Sequence, residues 1–175
     1  MNNNLYSNKR LSWIRAILAL ALVGWMALIY LKSNEPYQTQ DIRPLLTEWF
    51  PAAAINYWLP HLEFNYSGQL ITWKEPYAML EFFLRKSAHV LEYALLTGLW
   101  FSNLQWTRFK YYSILLSPIL AVLYAITDEW HQSFIAGRTG HAIDVAVDSI
   151  GCLIVIMLIW LFRSRRNINR GVKRS

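Results

Sequence analysis

Cysteine is almost absent from this chain of 175 residues, which contains Cys152 and no other. A single cysteine excludes an intrachain disulfide and any metal site built from several thiolates. Cys152 lies within an apolar stretch, so we interpret it as a small packing residue. Two other signatures are missing as well: the sequence has no HExxH zinc motif and no GxSxG nucleophile motif.

Charged residues are also scarce. They make up 16% of the chain, whereas 55% is hydrophobic, and nine Trp and ten Tyr are present. This composition is not that of a soluble domain and favours a polytopic membrane protein. The length predicts a single domain covering residues 1–175.

Four apolar runs are long enough to cross a bilayer as helices. They cover about residues 11–31, 81–103, 111–127 and 143–162. A cleaved signal peptide is the alternative for the first run, but its apolar part is too long and no small-x-small site follows it. We therefore predict an all-α, polytopic membrane bundle of four transmembrane helices in the cell membrane.

Acidic residues are missing from the three segments that hold most of the basic ones. The chain up to Arg15, the turn at 105–110 and the tail at 163–175 contain eleven of the 17 Lys and Arg and none of the eleven Asp and Glu. With four spans, all three segments face one side, which the positive-inside rule makes the cytoplasm. Both termini are therefore predicted to be cytoplasmic. The net charge of +6 follows from this topology, and no nucleic-acid partner is predicted.

The connection at 32–80 contains five of the six prolines and many aromatic residues. Pro51, Pro60, Glu48 and Asn56 argue against a fifth span there. We interpret this extracytoplasmic loop as short amphipathic pieces with aromatic rings at headgroup level.

Ionisable residues are concentrated at the extracytoplasmic ends of the last three spans. Arg85, His89 and Glu92 share a helical stripe roughly 60° wide. Such groups are costly at membrane depth, so they normally face a protein interior and indicate a site. We expect one outward-opening cleft. The candidate catalytic residues are His89, Glu92, Asp128, Glu129, Asp144 and Asp148, and the candidate ligand-binding residues are Arg85, Lys86, Tyr93, His131, Gln132 and Arg138.

Three interpretations of this cluster remain open at the level of sequence. It can be an ion-pair network that only holds helices together, although buried ion pairs stabilise less well than apolar packing. It can bind a metal through His89, Glu92 and neighbouring acids, although no metal motif supports this. It can perform acid–base chemistry, with a histidine as base and arginines holding an anion. His61 and His141 are interpreted as surface residues.

The motifs also resemble a known family. Arg85-Lys86-x-x-His89-x-x-Glu92-Tyr93, Asp128-Glu129-x-His131-Gln132-x-Phe134, Gly137-Arg138-x-Gly140 and Asp144-x-x-x-Asp148-x-x-Gly151 together resemble the VanZ-like family of bacterial membrane proteins. The set spans about residues 82–151 and is specific only as a set. The family takes its name from a protein associated with low-level resistance to the glycopeptide teicoplanin.

The resemblance implies a role in the bacterial cell envelope and implies no cofactor. We expect a site that binds membrane lipids or a lipid-linked cell-wall intermediate, with an effect on teicoplanin resistance. Two alternatives remain: an intramembrane hydrolase or transferase acting on a lipid headgroup, and a small proton-coupled transporter using Glu92 and Asp148. The sequence has no internal repeat of the kind that transporters show.

Overall fold

The computed structural model describes the backbone of residues 2–138 and 140–172 and the side chains of residues 10–138 and 140–165. Predictions that fall on Met1, Thr139, residues 173–175 or the side chains of Lys9, Arg166 and Arg170 lie outside this part. Most of the chain is helical. The elements in chain order are α1 (Asn2–Ser33), α2 (Tyr37–Gln40), α3 (Arg43–Trp49), α4 (Ala52–Trp58), β1 (Glu63–Tyr66), β2 (Gln69–Thr72), α5 (Pro76–Leu104), α6 (Ser113–Gln132) and α7 (Ala142–Val172).

Three of the long helices are apolar and long enough to cross a membrane. The segments are Arg10–Ser33 in α1, Lys110–Gln132 around α6 and Ala142–Arg165 in α7. Helix α5 has 29 residues but is not among them. Polar side chains such as His89 and Glu92 interrupt its apolar sequence, and this lowers its mean hydropathy.

Helix α5 is the centre of the bundle, since it packs against α1, α6 and α7. Its Tyr93 and Leu96 are fully buried in a core that also contains Ala121, Ala125 and Cys152. Cys152 therefore has the packing position predicted for it.

Gly151 permits the close approach of α5 and α7. A Cβ atom at this position would lie 2.0 Å from the carbonyl oxygen of Val90. By contrast, nothing lies within 4 Å of a Cβ built at Gly24 or Gly98. A small residue at position 151 therefore allows the backbones of the two helices to approach closely.

Helix α1 is bound to the bundle through backbone atoms. Trp25 donates its indole N–H to the carbonyl of Glu92 over 3.0 Å. In return, the carbonyls of Leu18 and Met26 accept hydrogen bonds from Asn103 (3.0 Å) and Tyr124 (2.7 Å). These long-range bonds fix both the depth and the rotation of α1.

The basic segments meet at one end of the bundle, which we name the basic end. Arg15 of α1 lies 4.8 Å from the centre of the Trp106 ring in the α5–α6 turn. Arg163 of α7 donates to the side chain of Gln105 in the same turn over 3.4 Å. The start of α5, the end of α6 and the start of α7 lie at the opposite end, which we name the polar end.

Residues 34–75 form a cap over the polar end. The prediction of short pieces in this loop holds for α2, α3 and α4, but the all-α prediction needs a correction, because β1 and β2 form an antiparallel hairpin. Ser67 and Gly68, with φ of 52° and 84°, make its two-residue turn. Four-residue strands with alternating burial give too short a pattern for confident assignment from sequence.

Candidate binding site

Helix α5 places Arg85, Lys86 and His89 on one face at the polar end. Arg85 pairs with Glu81 one turn earlier, with 3.1 Å between Nε and Oε1. Glu81 is only 3% exposed, so this ion pair is largely removed from water. The guanidinium also lies 5.2 Å from the centre of the Tyr37 ring in the cap.

Lys86 connects three elements of the site. Its ammonium group donates to Asp144 of α7, and the hydroxyl of Tyr66 in β1 donates to the same carboxylate. Lys86 Nζ also lies 4.8 Å from the centre of the Tyr66 ring. Burial, and then the bond to Asp144, raise the pKa of Tyr66, so this hydroxyl remains a donor at neutral pH.

His89 faces two carboxylates. Its Nδ1 lies 3.8 Å from Oδ1 of Asp148 and 4.0 Å from Oε2 of Glu92. Asp148 is 1% exposed, and its other oxygen has no hydrogen-bond partner among the described residues. Because the ring nitrogens are on opposite edges, Nε2 of His89 is directed away from Asp148.

A buried network lies beneath the cap. Tyr93 donates its hydroxyl to Asp128 over 3.1 Å, and Gln132 donates to the same oxygen over 3.0 Å. Gln132 also reaches Ser33 at the end of α1, at 3.3 Å. These side chains join α1, α5 and α6, and every described polar group in the set has a protein partner.

The α6–α7 connection contributes through its backbone. Glu129 accepts a hydrogen bond from the backbone N–H of His141 over 3.0 Å. A Cβ at Gly140 would lie 2.0 Å from the carbonyl oxygen of Glu129, so only glycine fits there. Sequence reasoning left His141 as a surface residue, but it is half-buried beside this carboxylate.

Arg138 is held differently from the other cations. Gly137 precedes it with a φ of 74°, and the guanidinium donates to the side-chain oxygen of Gln40 in α2. Within the described residues no carboxylate lies within the 4.0 Å ion-pair distance of Arg138. Burial lowers the pKa of Arg138, a sign that its charge is partly desolvated.

Two cavities open at the polar end instead of the single cleft that the sequence predicts. The first, of about 540 Å³, is lined by side chains from the cap and from α5, α6 and α7. The second, of about 500 Å³, lies between α1, the cap and α5. Arg85, His89 and Arg138 line both cavities.

The predicted site residues are distributed over these spaces. Lys86, Glu129, Gln132 and Asp144 line the first cavity. Glu92 lines the second. Tyr93, Asp128 and Asp148 are buried behind the cavities and line neither.

His131 is separated from the others. It stacks on Tyr30 of α1 with 4.9 Å between ring centres and lines neither cavity. Position 131 is one residue before Gln132, so its side chain leaves α6 about 100° away from that of Gln132, which lines the first cavity. The prediction that His131 belongs to the cluster is therefore wrong, although His131 lies at the same end of the bundle as the other site residues.

The comparison with protein families agrees with these motifs. The family model described as VanZ/LLP1 matches residues 18–163. The chain belongs to this family. No curated protein and no solved structure matches the chain.

In this VanZ/LLP1 member, the match covers α5, α6, most of α7 and the whole cap. The cap supplies site residues that sequence reasoning missed, namely Tyr37, Gln40, Arg43, Tyr66 and Gln69. They lie in short elements without a clear period, so no local pattern indicated them. Glu81 was also missed, although its spacing of four residues from Arg85 was a usable signal.

Metal-ligating side chains do not gather in the described part of this family member. No group of three or more His, Cys, Asp or Glu there has the arrangement of a metal site. The cations in the first cavity are instead arranged around open space. Arg43, Arg85, Lys86 and Arg138 line it, against the two carboxylates of Glu129 and Asp144. Arg43, Arg85 and Lys86 are each paired with a carboxylate. Arg138 has none within ion-pair distance in the described part of the chain, so it is the lining cation best placed to bind an anionic ligand.

Proposed function

We propose that this VanZ/LLP1 member is a multi-pass protein of the bacterial cell membrane that binds a lipid-linked or cell-wall-related ligand in its first cavity. Binding alters the cell envelope and contributes to teicoplanin resistance. Family membership and three apolar helices support a membrane protein of this family. The observation that favours a binding role is a cavity of about 540 Å³ lined by four cations, of which Arg138 has no carboxylate partner among the described residues.

The proposed topology has four spans, α1, α5, α6 and α7, with both termini in the cytoplasm. The 29 residues of α5 give a length of about 40 Å, more than the hydrocarbon core requires. Its polar residues face α1, α7 and the cap, which reduces the cost of placing them in a membrane. The contacts of Arg15 and Arg163 with the α5–α6 turn support a single cytoplasmic basic end.

In this topology the cap lies on the outer leaflet. Its exposed aromatic residues support that position, since Tyr57 and Trp58 are 80% and 83% exposed and Trp49 is 63% exposed. Large amphipathic rings of this kind favour the headgroup region. The first cavity would then open towards the outer surface, where cell-wall intermediates are used.

Cysteine labelling tests the topology. In a C152S background, N65C would place a thiol on the cap and R108C would place one at the basic end. An impermeant maleimide should label N65C in intact cells and R108C only after lysis. Labelling of R108C in intact cells, or of both variants equally, would contradict the proposed orientation.

A complementation experiment tests the function. Deleting the gene should change teicoplanin susceptibility or envelope lipid composition, and the parent gene should reverse the change. R138Q should fail to complement, whereas R108Q, which removes the same charge at the basic end, should succeed. If deletion changes neither property, or if R138Q complements like the parent, the proposed function is wrong.

Acid–base chemistry on a lipid headgroup is the second candidate, because His89 combines access to both cavities with a buried carboxylate 3.8 Å away. Asp148 would orient His89 and stabilise its charged form. In that case H89Q and D148N should abolish turnover of the lipid while the protein still binds it. Retained turnover in both folded variants would exclude this chemistry.

A further inference from the structure

The two cavities share one wall, and Arg138 is in it. Arg85, His89 and Arg138 line both spaces, so a ligand bound to this wall could extend into either one. The first cavity is polar and cationic. The second has an apolar side formed by Ile29, Leu84 and Ala88. A ligand with a charged head and a hydrocarbon chain fits this pair of spaces.

Arg138 is the wall's available cation. Arg85 has Glu81 and Lys86 has Asp144. Outside the wall, Arg43 has Asp41 at 2.6 Å. Among the described residues, the hydrogen-bond partner of the Arg138 guanidinium is the neutral amide of Gln40, although burial has removed part of its hydration. A partly desolvated guanidinium binds an anionic oxygen more strongly than an amide oxygen.

The Gln40 side chain is oriented as a substitute for such an oxygen. Its Nε2 donates to the carbonyl of Lys32 over 2.6 Å and lies 3.2 Å from a carboxylate oxygen of Glu35. These two acceptors fix the amide so that its oxygen faces Arg138. A ligand oxygen would take the place that the Gln40 oxygen now occupies.

The donors around the first cavity indicate the class of anion. Arg43, Arg85 and Lys86 are paired with Asp41, Glu81 and Asp144. Arg138 is the lining cation without an ion-pair partner among the described residues. Arg85 and Lys86 line the same cavity and keep further N–H donors. A phosphate monoester has three acceptor oxygens, so it can accept from Arg138 and from these neighbours together.

The second cavity offers a lateral path for the chain. Leu84 is 44% exposed and Ala88 is also exposed, both on the surface of α5 beside α1. The charged residues Lys32, at the exposed end of α1, and Glu35, in the cap, also line this cavity. A hydrocarbon chain passing Ile29, Leu84 and Ala88 would leave between α1 and α5.

We infer that the ligand is a lipid phosphate whose phosphate group binds Arg138 in the shared wall and whose hydrocarbon chain leaves through the second cavity. This inference rests on the proposed function and specifies the chemical class of its ligand. The same phosphate chemistry could come from free phosphate, so the experiment compares a probe with a chain and one without.

Binding of two probes to the purified full-length protein in a neutral detergent tests the phosphate site. The probes are dodecyl phosphate and inorganic phosphate, and binding is measured by calorimetry. Dodecyl phosphate should bind at least about tenfold more tightly, because only it can use the second cavity. R138Q should weaken both probes about tenfold or more, the loss expected for a charge-assisted hydrogen bond.

The matched control is R108Q, which should bind both probes as the parent does. If R138Q binds them as tightly as the parent, or if neither probe binds the parent, the inference is overturned. Equal affinity of the parent for the two probes would overturn the assignment of the second cavity to the chain.

Two neighbouring exposed positions test the path of the chain. A88W places a bulky ring on the lining of the second cavity, whereas S87W places the same ring on a residue that lines neither cavity. A88W should weaken the binding of dodecyl phosphate about tenfold and leave the binding of inorganic phosphate unchanged. S87W should change the affinity for neither probe. Equal behaviour of the two variants would contradict the path.

The Gln40 position gives a test in which an amide is replaced by a carboxylate of nearly the same shape. Q40E would supply Arg138 with an internal carboxylate and should weaken dodecyl phosphate about tenfold or more. Q105E adds the same charge in the turn at the basic end, away from both cavities, and should have no effect. If Q40E binds dodecyl phosphate as tightly as the parent, a phosphate oxygen does not take the place of the Gln40 oxygen at Arg138.

The inference and the proposed function can fail separately. If deletion changes the envelope and R138Q fails to complement, but dodecyl phosphate does not bind, the function stands and the phosphate class is wrong. If dodecyl phosphate binds through Arg138 but deletion has no effect on the envelope, the site stands and the proposed function is wrong.

Discussion

Charged side chains are used differently at the two ends of the bundle. At the polar end, Lys86 and Asp144 are 16% and 14% exposed and bind each other across α5 and α7. At the basic end, Arg108 and Arg163 are exposed and contact aromatic rings at 4.9 Å. A charge at the polar end depends on its largely buried partner. A charge at the basic end remains hydrated, and its positive sign is what matters for the proposed orientation in the membrane. We therefore expect single substitutions to be costly at the polar end and mild at the basic end.

Backbone packing differs in the same way. Gly140 at the polar end and Gly151, opposite Val90 in the middle of α5, leave no room for a methyl group, whereas Gly98, further along α5, has open space around it. The half of the bundle towards the polar end is thus the part where geometry is most restricted. The following predictions test this contrast.

The largest effect is expected for Gly151→Ala. The added methyl group would meet the Val90 carbonyl at 2.0 Å and separate α5 from α7. The free energy of unfolding should fall by about 3 kcal/mol, the upper end of overpacking costs. Gly98→Ala is the control and should be neutral or stabilising by about 0.5–1 kcal/mol. Denaturation in mixed micelles measures both, and equal effects would remove the contrast in packing.

Asp144→Ala should have the next largest effect. It leaves the Lys86 ammonium half-buried without its carboxylate, at a cost of about 2–3 kcal/mol in unfolding free energy. Adding Lys86→Met should recover part of the loss, because the unpaired charge is then gone. R163A at the basic end should stay within about 0.5 kcal/mol. A double variant less stable than Asp144→Ala alone would contradict the argument.

Tyr66→Phe should have a smaller effect. It removes the hydroxyl bond to Asp144 but keeps the ring beside Lys86, so we expect a loss of about 1 kcal/mol. Tyr57→Phe, at an exposed cap position, should change nothing measurable. Thermal unfolding of the two variants in detergent makes the comparison.

Alkaline pH should affect the parent through the same hydroxyl. The pKa of Tyr66 is raised in the folded protein, first by burial and then by its bond to Asp144, whereas an unfolded tyrosine titrates near 10. The folded state therefore holds this proton more tightly, so its contribution is complete below pH 10 and is lost as the pH rises above that value. The melting temperature of the parent should fall more steeply above pH 10 than that of Tyr66→Phe. Parallel curves would show that Tyr66 does not contribute.

The smallest effect on stability is expected at the basic end. R108Q combined with K110Q should leave the melting temperature unchanged, since both side chains are exposed. The same change should reduce the fraction of molecules in the proposed orientation, as read by impermeant labelling of N65C. A large loss of stability would mean that the charged side chains at the basic end depend on their neighbours as strongly as those at the polar end.

Much of the site could be predicted from sequence because its α5 residues follow a helical period. Arg85, His89 and Glu92 were found from their spacing, and the acids at the end of α6 and the start of α7 from their position at span ends. His131 was misplaced, because adjacent residues on a helix point about 100° apart and sequence does not give the rotation of α6. The sequence also did not separate the cleft into two cavities, since that division depends on how α1 and the cap pack.

The contributions of the cap could not be predicted because they depend on contacts between residues far apart in the chain. Tyr66 meets Asp144 across 78 positions, and Arg138 meets Gln40 across 98. The hairpin that carries Tyr66 has strands of only four residues. Nothing in the local pattern distinguished this tyrosine from the many others in the loop.

The attachment of α1 has a consequence for how freely this segment can vary. Among the described residues, two of its long-range hydrogen bonds end on the main-chain oxygens of Leu18 and Met26, which every amino acid possesses. Replacing either side chain by another apolar one leaves these acceptors in place. Sequence drift at these two positions is thus compatible with unchanged anchoring, as long as the donors Asn103 and Tyr124 on the neighbouring helices persist.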